Sequence, residues 1–176
     1  MKIGKGSRIS DKASIYNPEN LIIGDNVRID DFVILSCGAG MSIGDHVHIA
    51  AYGGYFAAQA PIILGDFSQF AARVTILGAT DDFSGESLVG PCVPDSYKPG
   101  LHKARVTVCR HALIGVGSVV MPGVTIHEGA AVGAMSFVKQ DCMPWVIYGG
   151  VPAVRIGRRS TKMLTLEENW LKELTR

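Results

Sequence analysis

The sequence predicts an all-β solenoid, in which short strands wind into coils that stack on one another. The first observation behind this prediction is a set of branched aliphatic residues spaced six apart, at Ile114, Val120, Ile126, Val132 and Val138. The second is that a small or branched residue usually lies four positions after each aliphatic, and the third is that glycine commonly follows it directly. Neither a helical period of about 3.6 nor a strand period of about 2 produces this pattern.

A chain that turns a corner after every short strand explains the six-residue spacing. Each hexapeptide supplies one flat face, with the aliphatic pointing inward and the glycine or small residue allowing the corner. Three faces close one coil, and successive coils stack through parallel strand pairing, so that no coil buries its core alone. The spacing runs through most of residues 1–144 and predicts a parallel β-helix of about six triangular coils.

One long segment, residues 79–105, interrupts the repeat. It reads "ATDDFSGESLVGPCVPDSYKPGLHKAR" and contains three prolines and three glycines but no hexapeptide spacing. A loop of this length inside a compact fold is uncommon and is usually functional or disordered. We therefore predict a protruding excursion loop within the β-helix.

Residues 145–176 follow the last coil and predict a cap segment with a short amphipathic helix. Thr165 followed by Glu168 matches a capping box, and Leu166 and Trp170 lie on one apolar stripe. We expect this helix to pack on the coils or on a partner subunit. The open end of a solenoid needs such a cover.

Composition excludes several classes of protein. The chain has 17 Lys and Arg against 16 Asp and Glu, and no basic run, which argues against nucleic-acid binding. No apolar, uncharged run is long enough to cross a bilayer, and the N-terminus lacks the apolar core of a signal peptide. We therefore expect no membrane insertion and a cytoplasmic location. The four cysteines form no C-x-x-C pair and suggest no disulfide framework.

The hexapeptide motif, together with the G-V-P-A segment at Gly150–Ala153, resembles the hexapeptide-repeat acyltransferases. The resemblance implies a left-handed parallel β-helix, although the usual preference for right-handed crossovers would predict the opposite hand. It also implies a homotrimer with active sites between neighbouring subunits, where the excursion loop of one subunit walls the site of another.

Two stretches favour one branch of that family. In the galactoside and maltose O-acetyltransferases the catalytic histidine follows the strand that enters the loop, where this chain has Asp81 and Asp82. The "TDDFSGESL" stretch and the Y-K-x-x-x-H pattern of Tyr97, Lys98 and His102 resemble instead the dTDP-4-amino-4,6-dideoxyglucose acyltransferases. The resemblance implies transfer of an acyl group, acetyl by default, from acyl-CoA to a nucleotide-linked amino sugar for surface polysaccharide. A sugar O-acetyltransferase remains the alternative.

Acyl transfer from a thioester needs a base for the attacking group and donors for the oxyanion. Histidine is the natural base near neutral pH. His102 ends the excursion loop and His48 lies on a stretch that departs from ideal repeat spacing, so we predict that one of them is the base. We predict Asp82 as an orienting or amine-binding carboxylate, and Asp81, Tyr97 and Tyr52 as further substrate contacts.

For the coenzyme, the resemblance places the pantetheine arm along the later coils. It implies contacts from Ala134, Ser136 and Lys139. Arg155 and Arg158 follow the G-V-P-A segment, and guanidinium groups suit the phosphates of coenzyme A.

Two other readings compete with an acyltransferase. A γ-class carbonic anhydrase shares the β-helix and holds zinc by three histidines. His46 and His48 offer a pair of ligands. The histidine pair that those enzymes carry on a second coil has a wider spacing, and this sequence has no such pair. We therefore expect no metal site. A scaffold that binds partners through its flat faces would leave the excursion loop and the terminal arginines unexplained.

Overall fold

The computed structural model describes residues 1–174 and shows a β-helix with three flat faces. Coils one to three contain β1 (Lys2–Ile3), β2 (Arg8–Ile9), β3 (Ser14–Tyr16), β4 (Leu21–Ile23), β5 (Arg28–Ile29), β6 (Ile34–Ser36), β7 (Met41–Ile43), β8 (His48–Ile49) and β9 (Gly54–Phe56). Coil four contains β10 (Ile62–Leu64), β11 (Gln69–Phe70) and β12 (Thr75–Leu77). The excursion loop then begins and ends with β13 (Ala79–Thr80) and β14 (His102–Lys103).

The winding resumes after the loop. Coils five and six contain β15 (Val106–Val108), β16 (Leu113–Ile114), β17 (Val119–Val120), β18 (Thr125–Ile126), β19 (Ala131–Val132) and β20 (Phe137–Val138). The cap contains β21 (Val146–Gly149), β22 (Val154–Arg158) and helix α1 (Lys162–Leu174). Two single-turn 3₁₀ helices, Pro18–Asn20 and Asp95–Tyr97, lie in connections.

Each face is a parallel sheet with one strand from every coil. The first face has the order β1-β4-β7-β10-β15-β18, and the third has β3-β6-β9-β12-β17-β20. The second face runs β2-β5-β8-β11-β16-β19 and continues into β21 and β22. The described residues thus form six complete coils, as predicted, and a partial seventh in which β21 pairs with β19.

The repeat aliphatics fill the interior of the prism. The buried residues include Ile49 and Ile114, which both lie on the second face, and Ile126 on the first face; all three are fully buried. Each such side chain contributes about 1.5–3 kcal/mol by leaving water. Ile3, in the first coil, is 49% exposed, in contrast to the fully buried aliphatics of the middle coils.

The corner between the first and second faces carries bulky residues at positions for which the six-residue pattern predicts no residue type. His46, Phe67, His111 and Trp145 have φ values of 57°, 57°, 59° and 57°, a left-handed conformation that is uncommon outside glycine. Their rings stack outside the corner, with centroids 4.7 Å apart for His46–Phe67 and 5.2 Å for Phe67–His111. We call these four residues the aromatic ladder. Ring stacking offsets the backbone strain of the corner.

Helix α1 packs on the aromatic ladder of its own chain. The Trp170 ring meets His46 edge-on at 5.1 Å, and His111 Nε2 lies 2.8 Å from a carboxylate oxygen of Glu167. Arg110 also binds Glu167. Burial raises the pKa of Glu167, but the bonds from Arg110 and His111 outweigh it and leave the pKa below its ordinary value.

The predicted start of this helix, with Thr165 as the N-cap, is wrong by four residues. Helix α1 begins at Lys162, so Thr165 lies inside it, and the Ser160 hydroxyl accepts the Lys162 N–H at 3.2 Å. Residues 175–176 of the predicted cap segment lie outside the described residues. Within the described part of the chain, α1 lacks the length and hydropathy of a bilayer-crossing helix, and no other helix has them.

Candidate active site

The excursion loop leaves the prism at the corner between the third and first faces. Strands β13 and β14 close its base as an antiparallel pair, with Ala79 opposite Lys103 and Thr80 opposite His102. The Ala104 N–H also donates to the Gly78 carbonyl at 3.0 Å. These backbone bonds fix the direction in which the loop projects.

A pocket of about 190 Å³ lies between the loop and the coils. Its lining is mostly apolar, with one carboxylate and one ammonium group. We call it the loop pocket; it is lined by Phe56, Ala58, Gln59, Ala79, Thr80, Asp81, Gly90, Pro91, Lys98 and Leu101. Small ligand sites have this character, an apolar wall with a few polar groups that fix orientation.

Two charged residues of the loop pocket hold the backbone of the same residue, Gly90. A carboxylate oxygen of Asp81 accepts the Gly90 N–H at 3.2 Å, and Lys98 Nζ donates to the Gly90 carbonyl at 3.2 Å. Lys98 Nζ also lies 2.9 Å from Asp95 Oδ1, and its side chain is only 4% exposed. Asp81 was predicted as a substrate contact, whereas Lys98 was recognised only as part of the Y-K-x-x-x-H pattern and was given no role. The i,i+3 spacing of Asp95 and Lys98 inside the loop is a second sequence signal for it.

Asp82 points into the loop and away from the loop pocket. Its carboxylate accepts the Ser84 N–H at 2.8 Å, the Ser84 hydroxyl at 2.9 Å and the Glu86 N–H at 3.0 Å. The bonds from the Ser84 backbone and hydroxyl lower the pKa of Asp82. An aspartate that bonds the backbone two residues on stabilises a turn. Asp82 lines a separate outer cleft with Ser84 and Gly100.

His102 lies at the edge of the loop pocket. It stands opposite Thr80 and next to Leu101, both of which line the pocket. A Cβ built on Gly123 would lie 3.9 Å from His102 Nε2, so the ring also faces the corner where coil six begins. Tyr97, by contrast, is 61% exposed on the outside of the loop and does not line the pocket.

His48 lies on the second face, opposite the corner from which the loop projects. Its Nε2 is 2.9 Å from Asp30 Oδ2, and Arg28 Nε donates to the other oxygen of Asp30 at 2.7 Å. Burial raises the pKa of Asp30, but hydrogen bonds from His48 and Arg28 outweigh it and lower the pKa. The structure therefore orients His48 but does not bring it to His102 within one chain.

Tyr52 lies at a third place, the corner between the second and third faces. Its ring stacks on Phe32 at 5.1 Å, and the Arg73 guanidinium lies 5.6 Å from its centroid. The ring is 56% exposed and has no part in the loop pocket of its own chain.

The residues predicted to contact coenzyme A on the later coils lie on separate edges. Ala134 is at the corner between the second and third faces, and exposed Lys139 is at the next corner along the chain. Ser136 is buried; its hydroxyl donates to the Gly133 carbonyl at 2.7 Å and accepts the Gly150 N–H at 3.2 Å. The Ser136 hydroxyl is thus used within the coil.

Arg155 and Arg158 come together in the cap. With Trp145 and Arg159 they line a cavity of about 320 Å³, which we call the cap pocket. Arg159 is committed to the fold, because its Nη1 donates to the carbonyls of His111 at 2.7 Å and Gly129 at 3.0 Å. Burial lowers the pKa of Arg159.

The histidine pair considered for zinc is split by the fold. His46 stacks on Phe67 in the aromatic ladder, while His48 lies on the second face against Asp30. Among the described residues no three His, Cys, Asp or Glu side chains gather at one point.

Comparison with known proteins decides the family. No family model matches the chain. The dTDP-4-amino-4,6-dideoxy-D-glucose acyltransferase of Escherichia coli is 42% identical over 166 residues, which cover 94% of this chain and 85% of that protein. This chain belongs to that acyltransferase family. The resemblance found in the sequence is thereby confirmed.

Solved structures agree with this assignment. A mutant of AntD, an N-acyltransferase from Bacillus cereus, in complex with dTDP-4-amino-4,6-dideoxyglucose and coenzyme A, has a TM-score of 0.94 and 45% identity. That match covers 98% of this acyltransferase and 91% of AntD. AntD with dTDP and 3-hydroxybutyryl-CoA has a TM-score of 0.96 and 44% identity, covering 99% and 92% of the two chains. The predicted left-handed β-helix is confirmed by these matches.

Proposed function

We propose that this acyltransferase moves an acyl group from acyl-CoA to the amino group of a nucleotide-linked amino sugar. The observation that carries the proposal is the 42% identity, over nearly the whole chain, to an enzyme named for such a sugar. The AntD complexes contain a dTDP-amino sugar or dTDP together with coenzyme A or its thioester. We take acetyl-CoA as the default donor. The 3-hydroxybutyryl-CoA in one AntD complex makes a longer acyl chain the variant to test beside it.

The reaction we propose is a direct attack on the thioester. The amine nitrogen bonds to the thioester carbonyl carbon, the oxyanion forms, and the C–S bond breaks to release the coenzyme A thiolate. A base removes the proton that the nitrogen loses, and the thiolate takes up a proton. Backbone N–H groups at the coil corners would stabilise the oxyanion.

His102 and His48 are our candidates for the base, and each has a different support. His102 lies at the edge of the loop pocket and faces the corner of coil six, toward the later coils where the coenzyme is expected. His48 has its ring oriented by Asp30 at 2.9 Å, an arrangement that fixes the tautomer and position of an imidazole.

For the acceptor we propose that Asp81 receives the sugar amino group in the loop pocket. Asp81 is the only carboxylate that lines this pocket among the described residues. Asp82 would act indirectly by ordering the start of the loop through Ser84 and Glu86. Tyr97 and Tyr52 would contact the substrate from the loop surface and from a neighbouring subunit.

A homotrimer fits the positions of these residues. His48 and Tyr52 lie away from the loop of their own chain, so they can meet a loop pocket only across a subunit boundary. Trimeric assembly would place the second face of one subunit against the loop of the next. Sedimentation or light scattering tests this, and a monomeric mass in solution would contradict it.

For coenzyme A we propose the cap pocket as the site of the phosphates. The guanidinium groups of Arg155 and Arg158 have no hydrogen-bond partner among residues 1–174, so both are free to bind phosphate oxygens. Ala134, Ser136 and Lys139 would line the path of the pantetheine arm, with Ser136 contributing backbone and shape.

We further propose residues 1–144 as the β-helix and 145–176 as its cap, with excursion loop 79–105 as the acceptor-binding element.

A cytoplasmic enzyme supplying acylated sugars for O-antigen or another surface polysaccharide fits a nucleotide-linked acceptor. The nucleotide carrier of the proposed acceptor is what supports this placement.

Thiol release tests the function directly. Purified enzyme is mixed with acetyl-CoA or 3-hydroxybutyryl-CoA and with dTDP-4-amino-4,6-dideoxyglucose. The control is dTDP-glucose, which has a hydroxyl in place of the amine and a further hydroxyl on the terminal carbon of the sugar. We expect coenzyme A release only with the amino sugar, and an amide in the product by mass spectrometry. Turnover of dTDP-glucose or of a simple galactoside alone would make the protein an O-acetyltransferase instead.

A further inference from the structure

We propose that Lys98 is a positioning residue, which holds one wall of the acceptor site by fixing the Gly90 peptide. Asp81 accepts the Gly90 N–H and Lys98 donates to the Gly90 carbonyl, each at 3.2 Å, so the peptide units before and after Gly90 are both held. We call Asp81, Gly90 and Lys98 the loop clamp. The inference rests on the proposed function, because it takes the loop pocket as the place where the acceptor binds.

The burial of Lys98 shows that its charge serves more than solubility. Its side chain is 4% exposed, whereas its ion-pair partner Asp95 is 63% exposed. An ammonium group taken out of water is costly unless it is paired and hydrogen-bonded, and an apolar side chain of similar volume usually fills such a space as stably. The cation is therefore retained for what it binds, the Gly90 carbonyl and Asp95.

The clamp acts at the point where the loop turns back over the pocket. Gly90 has a φ of 88°, in the left-handed region, and an unsupported glycine there would have several conformations open to it. Asp81 follows β13 on one side of the pocket, and Lys98 approaches from the returning half of the loop. Bonds at both ends of Gly90 join the two halves and hold Gly90 and Pro91 in the pocket lining, which also includes Phe56.

Lys103 supplies a matched control. It also pairs with Asp95, at 3.2 Å, but its side chain is 39% exposed and it neither lines the loop pocket nor contacts Gly90. Loss of Lys103 removes a lysine–Asp95 ion pair and leaves the clamp in place. Loss of Lys98 removes the ion pair and the clamp together.

The experiment compares Lys98→Met with Lys103→Met in steady-state kinetics with acyl-CoA and the amino-sugar acceptor. We expect Lys98→Met to raise the acceptor KM by about tenfold or more while the acyl-CoA KM changes less than about twofold. Lys103→Met should leave both KM values within about twofold of wild type. Lys98→Arg keeps a cation with N–H donors and should recover part of the loss, which also covers the case in which Lys98→Met folds poorly.

Hydrogen exchange of the unliganded protein provides a readout that does not depend on turnover. We expect peptides covering residues 88–97 to exchange faster in Lys98→Met than in wild type or Lys103→Met, with exchange in coils five and six unchanged. Equal kinetics in the two lysine variants, or wild-type exchange in Lys98→Met, would overturn the clamp. If wild-type enzyme itself turns over no amino sugar, the proposed function fails, and the exchange experiment still decides the clamp.

Discussion

The coils and the excursion loop are stabilised in opposite ways. In the coils, fully buried aliphatics such as Ile49 and Ile114 stack in register, and every strand pairs with the coil before or after it. The loop buries little: Phe83 is 90% exposed, and the segment is ordered by polar contacts from Asp81, Asp82 and Lys98. The coils therefore set the stability of the molecule, while a few polar side chains in the loop set the shape of its acceptor site.

We expect the largest effect on turnover, from substitution of His102, which lies where the loop rejoins the coils. His102→Ala should lower kcat by about 10²–10⁴-fold, the usual contribution of a positioned base, and change the coenzyme A dissociation constant little. His48→Ala is the companion variant for the second candidate. His127→Ala, in a regular hexapeptide, is the control and should retain wild-type kcat. Wild-type turnover in both His102→Ala and His48→Ala would show that neither histidine is the base.

The next effect separates coil from loop by stability. Ile114→Ala leaves a cavity in the core of coil five and should lower the free energy of unfolding by about 2–5 kcal/mol. Phe83→Ala, at an exposed position of the loop, should change it by less than about 0.5 kcal/mol. Chemical denaturation measures both. A similar loss of unfolding free energy in the two variants would contradict the claim that the coils, and not the loop, set the stability of the molecule.

The cap provides a pH-dependent prediction of intermediate size. Bonds from Arg110 and His111 hold the pKa of Glu167 in the folded protein below its ordinary value. The ionised Glu167 therefore stabilises the fold fully above the unfolded-state pKa of about 4.3. This stabilisation is lost as the pH falls through the lower pKa of the folded state. Glu167→Gln should lower stability by about 1–3 kcal/mol near neutral pH and flatten the acid limb of the profile. Melting temperatures of the two proteins between pH 7 and pH 3 test this, and parallel profiles would contradict it.

The smallest expected effect has the opposite sign. The Tyr55 hydroxyl is fully buried and has no hydrogen-bond partner among the described residues. Folding therefore removes it from water without a hydrogen bond to compensate for the cost of desolvation. Burial accordingly raises the pKa of Tyr55 well above its ordinary value. Tyr55→Phe should be neutral or raise stability by up to about 1 kcal/mol in denaturant titrations. A clear loss of stability would mean that the hydroxyl does have a partner.

The sequence predicts the coils well because their spacing is a direct consequence of the physics of the core. One inward aliphatic per hexapeptide fixes face, register and number of coils, and this is why the positions of Ile114 and Val120 were predictable. The aromatic ladder was not predictable, because the pattern says nothing about the outward-facing corner positions and does not reveal that His46 and Phe67 stack across coils. The hexapeptide register could have assigned His48 to the second face, away from the loop.

The structure of the loop is less predictable than that of the coils. It follows no repeat, so nothing in its spacing shows that Lys98 returns to bind Gly90 or that Asp82 turns back to Ser84. That a loop leaves the coils here was predictable from the missing hexapeptides. Which of its charged side chains line the pocket depends on a three-dimensional path set by individual hydrogen bonds.

A crystal structure of this enzyme with the dTDP-amino sugar bound would test the central claim most directly. The account predicts the sugar ring in the loop pocket, with its amino nitrogen within hydrogen-bonding distance of the Asp81 carboxylate and the Gly90 peptide still held by Lys98. A sugar bound at another site, with the loop pocket left empty at saturating ligand, would contradict it.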